Sequence, residues 1–194
     1  MNKHVGSILH TSPEDLSRAA KTVNEKTRLG IPLIIGDDCI HGYSFWPGAL
    51  FSRPSSAWLS AGIRTRSRPP AVLPPRRSLV PVYIGRFSPV LCIARDTRWG
   101  RVDETFGEDP MLIGELASAM VKGYQGGAKA GEELPKNAIL ACAKHFAGYS
   151  ETQGGRERLR SGPLPPQARI LVPAAVRARG QRRLRYVHAG LRVH

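Results

Sequence analysis

Four short runs rich in apolar residues punctuate this chain, at 5–9, 31–35, 87–94 and 139–143. Each is continuous rather than alternating, which is the pattern of strands buried on both faces of a parallel sheet. Helical patterns separate them. Ser12-Pro13-Glu14-Asp15 supplies a cap, a proline suited to the first helical position and two acids at the positive end of the dipole. Leu16, Ala19, Ala20 and Val23 then share one apolar face. Gly30 closes that segment. A second helix is predicted over 110–124, with Leu112, Ile113, Leu116, Met120 and Tyr124 on one face and Gly126-Gly127 as its stop. Residues 127–137 read as a polar loop. The order strand, helix, strand, with further strands and a helix downstream, predicts an α/β fold with a helix-covered parallel sheet.

Two stretches break the pattern. Residues 52–86 hold seven Arg and six Pro with no Lys and no acid, and show no helical or alternating period. Residues 156–194 hold ten Arg and a single acid, Glu157, and read as a basic, disordered tail. Together they carry +7 and +9 of the net +14, so the rest of the chain is at −2. The basic character is therefore local. Neither tract has Lys, ordered aromatic residues or a nucleic-acid-binding motif, so no specific nucleic-acid partner is expected, although non-specific phosphate binding follows from the charge. Cys39, Cys92 and Cys142 lie far apart and lack the spacing of a disulfide framework or a zinc site. They read as buried thiols of a reducing compartment. No apolar run is long enough for a membrane span, and residues 1–10 lack the apolar core of a signal peptide. A cytoplasmic protein without membrane contact, metal or cofactor is the expectation.

The candidate chemistry sits just past strand ends, where parallel α/β folds bind ligands. One cluster is GIPLIIGDDCIHG, residues 30–42. A second is RDTRWGRVDETFGEDP, residues 95–110, with five acids and three arginines around Trp99. A third is AKHFAGY, residues 143–149. Such a density of charge beside strand ends suits a polyhydroxylated ligand, whose hydroxyls need charged, bidentate partners.

These three clusters, in this order, resemble the amino-terminal barrel domain of glycoside hydrolase family 3, which includes many β-glucosidases. The opening VGSILHTSPEDL is similar to that domain's first strand and helix. The resemblance implies a (β/α)8 TIM-barrel-like fold, a retaining glycosidase activity, no cofactor, and a glycoside or oligosaccharide as the small-molecule partner. It implies substrate-binding roles for Asp38, Arg101, Lys144 and His145, all matched to the family's sugar-hydroxyl ligands. Other residues admit structural roles. Asp37 is expected to cap backbone or brace its neighbour. Arg95, Asp96 and Arg98 are expected to pair within the loop, and Glu104, Glu108 and Asp109 to brace the loop or the helix start. Trp46 and Trp99 are expected in the cleft wall, and His41 divides between bracing and packing.

The chain also departs from the family. The retaining mechanism needs an Asp nucleophile after a later strand and a Glu acid/base from farther on. Only 49 residues follow His145, and 156–194 contain no Asp. No catalytic residue is therefore assigned. Family-like sequence covers 1–50 and 87–155, against about 250 residues for a whole barrel. The expectation is a partial, incomplete barrel domain over 1–155, interrupted by a scrambled tract at 52–86, with two irregular Arg/Pro-rich tracts in all. Both tracts fit frameshifted translation. Codons for FSRPSSAWLSAGIR can be chosen so that another frame reads FPTQLGMAVSWDP, the continuation the resemblance implies. The alternatives are a non-catalytic sugar-binding fragment and a basic nucleic-acid-binding protein.

Overall fold

A computed structural model describes residues 6–38, 40–41, 83–128, 132–135, 138–146, 149–152, 154–156 and 186–189. Trp46, Cys39 and most of both Arg-rich tracts lie outside them. The described elements run β1 (Ser7–Leu9), α1 (Pro13–Lys26), β2 (Ile34–Asp37), β3 (Tyr83–Arg86), a 3-10 turn (Val102–Glu104), α2 (Pro110–Tyr124), β4 (Leu140–Phe146) and β5 (Tyr186–Ala189). The strands form one sheet in the order β1-β2-β3-β4-β5, and every pairing is parallel. Sequential order with parallel pairing is the arrangement used by a (β/α)8 barrel.

Local sequence accounts for both helices. Ser12 Oγ accepts from the Asp15 amide at 3.0 Å and opens α1. Asp109 accepts from the amides of Met111 and Leu112 and opens α2. In α1, Leu16, Ala19, Ala20 and Val23 are the shielded side, and Ala20 is buried. In α2, Ile113, Leu116, Ala117, Met120, Val121 and Tyr124 are buried against Leu91, Ile93, Ala141 and Ala143. Burying one such aliphatic side chain stabilises the fold by about 1.5–3 kcal/mol.

The third strand differs from expectation. It is Tyr83–Arg86, not 87–94. Pro89 has no amide hydrogen to give a ladder. Within 87–94 only Val90 forms a bridge, to Lys144. The segment still runs beside β4, through Lys144 N–H donating to Pro89 O at 3.0 Å and Leu91 N–H donating to Lys144 O at 2.6 Å. It then turns away, with the Ala94 amide on Gly107 O at 2.9 Å. Side chains alternate along it. Leu91 and Ile93 face α2, whereas Val90 and Cys92 pack with Trp99 in a second small cluster.

Residues 186–189, inside the tract expected to be disordered, form β5 on β4. Tyr186-Val187 is a pair of strong strand formers, and β4 offers a free edge that a parallel segment can cover. Tyr83–Arg86 likewise belongs to the other Arg-rich tract, so each tract contributes a strand. Gly36 of β2 allows close packing at the sheet face, since a Cβ there would lie 2.6 Å from Cε2 of Phe87.

Candidate functional site

The ends of β1, β2 and β4 bring His10, Asp37, Asp38 and Lys144 together. β2 ends at Asp37, which is 4% exposed. Its Oδ1 accepts the amide of Asp38 at 2.8 Å and contacts Nδ1 of His10 at 2.7 Å. His10 follows β1 directly and adopts φ 50°. Its Nε2 lies 3.5 Å from Asp38 Oδ2. The other oxygen of Asp38 meets Nζ of Lys144, from β4. Asp38 keeps 29% of its side-chain surface exposed, and Lys144 only 5%. A buried ammonium needs a carboxylate, and here the carboxylate is left partly open to solvent.

The loop after the 87–94 segment contributes Arg101. Its Nε and Nη2 donate to Oε1 and Oε2 of Glu104, both at 2.6 Å, in a fork geometry. Nη1 donates to the hydroxyl of Tyr149 at 3.0 Å, and the guanidinium lies 5.3 Å from the ring centroid. Glu104 is the main reason that Arg101 holds its proton more firmly than usual, with Tyr149 adding to it and partial burial opposing it. The ring of Tyr149 packs 4.2 Å from that of His145 and edge-on to Trp99 at 5.9 Å. Behind His145, Nδ1 lies 3.4 Å from Cys92 Sγ. Burial pushes the Cys92 thiol up to about 11, against a smaller lowering by the His145 backbone. It is therefore a thiol at neutral pH and a weak donor to the imidazole. Lys144 and His145 are adjacent in β4, so one strand carries a member of each half of the site.

Asp38, Lys144, His145 and Arg101 thus form two linked groups: Asp38 with Lys144, and His145 with Tyr149 and Arg101. The supporting residues have the following partners. Arg98 donates to Asp96 from its backbone at 3.0 Å, from Nε at 2.9 Å and from Nη2 at 2.8 Å. These bonds, the side-chain ones first, hold the Asp96 carboxyl down at about 2. Arg95 pairs instead with Glu151, at 3.3 Å. Glu104 braces Arg101, Asp109 caps α2, and Trp99 is 3% exposed, packed with Val90 and Cys92. His41 approaches Asp103 at 3.3 Å. Two contributors escaped sequence reasoning, His10 and Tyr149. His10 had an available signal, because it stands just past a parallel strand, the same rule that singles out Asp38. Among the described residues no group of three or more His, Cys, Asp or Glu side chains could hold a metal ion, and no helix is long and apolar enough to cross a membrane.

Residues 1–167 match the glycosyl hydrolase family 3 N-terminal domain, and the chain belongs to this family. It is 34% identical over 155 residues to a periplasmic β-glucosidase of Salmonella typhimurium, covering 79% of this chain and 19% of that protein. Other relatives are named β-xylosidases. Among solved structures, a β-glucosidase involved in saponin metabolism from intestinal bacteria is 74% identical, with TM-score 0.72 over 80% of this chain and 20% of its own. A β-glucosidase from Listeria innocua in complex with glucose is 29% identical, with TM-score 0.69 over 96% of this chain and 25% of its own. The chain therefore spans about a quarter or less of these proteins. The compartment named for the Salmonella relative is the periplasm, not the cytoplasm expected from the sequence.

Proposed function

We propose that this chain is part of the sugar-binding barrel of a retaining β-glucosidase-type hydrolase acting on O-glycosyl bonds, and that Asp38, Arg101, Lys144 and His145 are its sugar-hydroxyl ligands. One observation carries the reading: the Asp38–Lys144 contact joins the carboxyl ends of β2 and β4 while Asp38 stays partly open to solvent. A carboxylate held that way accepts from neighbouring hydroxyls of a ring, and the ammonium and guanidinium donate to them. Each charged hydrogen bond to a ligand contributes about 1.5–3 kcal/mol. In a whole enzyme these bonds fix the ring beside the catalytic carboxylates and strengthen in the transition state.

The chain contains neither of those two carboxylates. No catalytic residue is assigned to it, and its proposed part in the site is the set of sugar contacts; the alternative is a non-catalytic sugar-binding fragment. Residues 1–155 make an incomplete (β/α)8 domain, to whose sheet 186–189 add β5. Frameshifted translation accounts for 52–86 and 156–194, and the coding DNA decides it: unrelated residues or stop codons in the alternative frame would refute a frameshift.

Glucose titration with a thermal-shift readout, beside hydrolysis of an aryl β-glucoside, tests the function. The expected result is millimolar affinity, about 4 kcal/mol, abolished in Asp38→Asn and Arg101→Ala, with no hydrolysis. Hydrolysis by the purified wild-type chain, or a wild-type melting temperature that glucose does not move, would contradict it.

A further inference from the structure

We propose that Tyr149 is a positioning residue of this site, its hydroxyl holding Arg101 and its ring holding His145, so that the two meet one ligand as a unit. The proposal rests on the sugar-binding reading for the ligand and on the geometry alone for the coupling. Arg101 and His145 are 44 residues apart. Tyr149 touches both. Its oxygen accepts from Arg101 Nη1 at 3.0 Å, and its ring lies 4.2 Å from the imidazole at an interplanar angle of 42°.

The tyrosine is itself anchored. Trp99 meets it edge-on at 5.9 Å and is 3% exposed. Each partner also has a second constraint on its far side. Glu104 forks onto Arg101 and fixes the plane of the guanidinium. Cys92 Sγ stands 3.4 Å from His145 Nδ1 and limits rotation of the imidazole. The chain of contacts is therefore Glu104, Arg101, Tyr149, His145 and Cys92, with Trp99 behind its middle. Such a chain places two donors at fixed separation before a ligand arrives. Misplacing binding groups costs affinity even when every ligand contact is kept, which is why preorganisation matters here.

The hydroxyl and the ring do different things, so two variants separate them. Tyr149→Phe keeps the ring on His145 and removes the acceptor for Arg101. Tyr149→Leu removes both. The test uses the full chain labelled with 15N and 13C, first without ligand and then with glucose. In Tyr149→Phe the Arg101 guanidinium protons should exchange faster while the His145 ring signals keep their ring-current shift. Glucose affinity should fall about tenfold, the effect of one hydrogen bond worth about 1.4 kcal/mol. In Tyr149→Leu both sets of signals should move. His145→Ala should shift the Arg101 signals in the native background and leave them unchanged in the Tyr149→Leu background. Arg101 signals that are the same with Tyr, Phe and Leu at 149 would overturn the proposal, as would unchanged glucose affinity in Tyr149→Phe. If the wild-type chain binds no glucose, the sugar reading fails, and the ligand-free signals still decide whether Tyr149 couples the two residues.

Discussion

Lys144 of β4 contacts Asp38 at the end of β2 across 106 positions of sequence, and the two partners differ in burial: the ammonium is 5% exposed and the carboxylate 29%. This asymmetry sets the cost of breaking the pair. Asp38 retains solvent and His10 Nε2 at 3.5 Å when Lys144 is removed. Lys144 has far less access to water when Asp38 is removed. Asp38→Asn should therefore destabilise more than Lys144→Met, by about 1–3 kcal/mol against about 1 kcal/mol, the buried-pair cost being reduced by the exposure of the carboxylate. Urea unfolding of the two variants measures both values, and the reverse order would show that the carboxylate is the dependent partner.

Gly155 is held where no other residue fits. Its φ is 78°, and an added Cβ would stand 2.4 Å from the backbone oxygen of Arg98. That contact docks the 154–156 segment onto the Arg-rich loop, beside the Arg95–Glu151 pair. Gly155→Ala combines left-handed strain with a backbone clash, so it should cost about 3 kcal/mol, at the upper end for a single substitution. Gly100→Ala is the control, because a Cβ there meets nothing within 4 Å. Equal melting temperatures for the two variants would refute this docking.

Asp96 carries an acid-sensitive contact of the loop. Its folded carboxyl is held at about 2, against an ordinary 3.8, chiefly by the Arg98 side chain. A depressed carboxylate contributes stability that is fully present above pH 3.8 and is lost as pH falls through about 2. Carbon-detected NMR should show the Asp96 carboxyl titrating near the lower value, and Arg98→Ala should return it to the ordinary range. A wild-type midpoint near 4 would contradict the pairing.

Cys92 behaves in the opposite sense. Burial raises its thiol from 9.0 to about 11. The folded state favours the protonated form, so this contribution is complete below pH 9 and is lost as pH rises through about 11. Alkylation by iodoacetamide at pH 8 should leave Cys92 and Cys142, both buried, unmodified in the native chain and modify them in urea. Rapid native labelling of Cys92 would mean that the Trp99 cluster is open.

Much of the fold was legible because its signals are local. Ser12 and Asp109 sit at the starts of α1 and α2, and each bonds the amides that a cap should. The apolar run at 139–143 lies within one residue of the start of β4. The third strand was not legible, since Pro89 interrupts a run that looks apolar throughout, while the strand itself lies in a tract without period. Asp38, Arg101, Lys144 and His145 stand out in the sequence through motif resemblance, and the structure brings Asp38 to Lys144 and sets Arg101 and His145 against Tyr149. Their partners were not legible. The contacts of His10 with Asp37 and of Tyr149 with Arg101 span 27 and 48 positions, and no local periodicity encodes a contact at that distance.

The central claim is that Asp38, Arg101, Lys144 and His145 line one sugar pocket. Chemical-shift mapping of the full chain with glucose tests it most directly. The prediction is a single set of ligand-dependent shifts centred on those four residues and Tyr149, saturating in the millimolar range and absent in Asp38→Asn. Shifts confined to the arginines of 156–194, or none at all at Asp38 and Lys144, would contradict it.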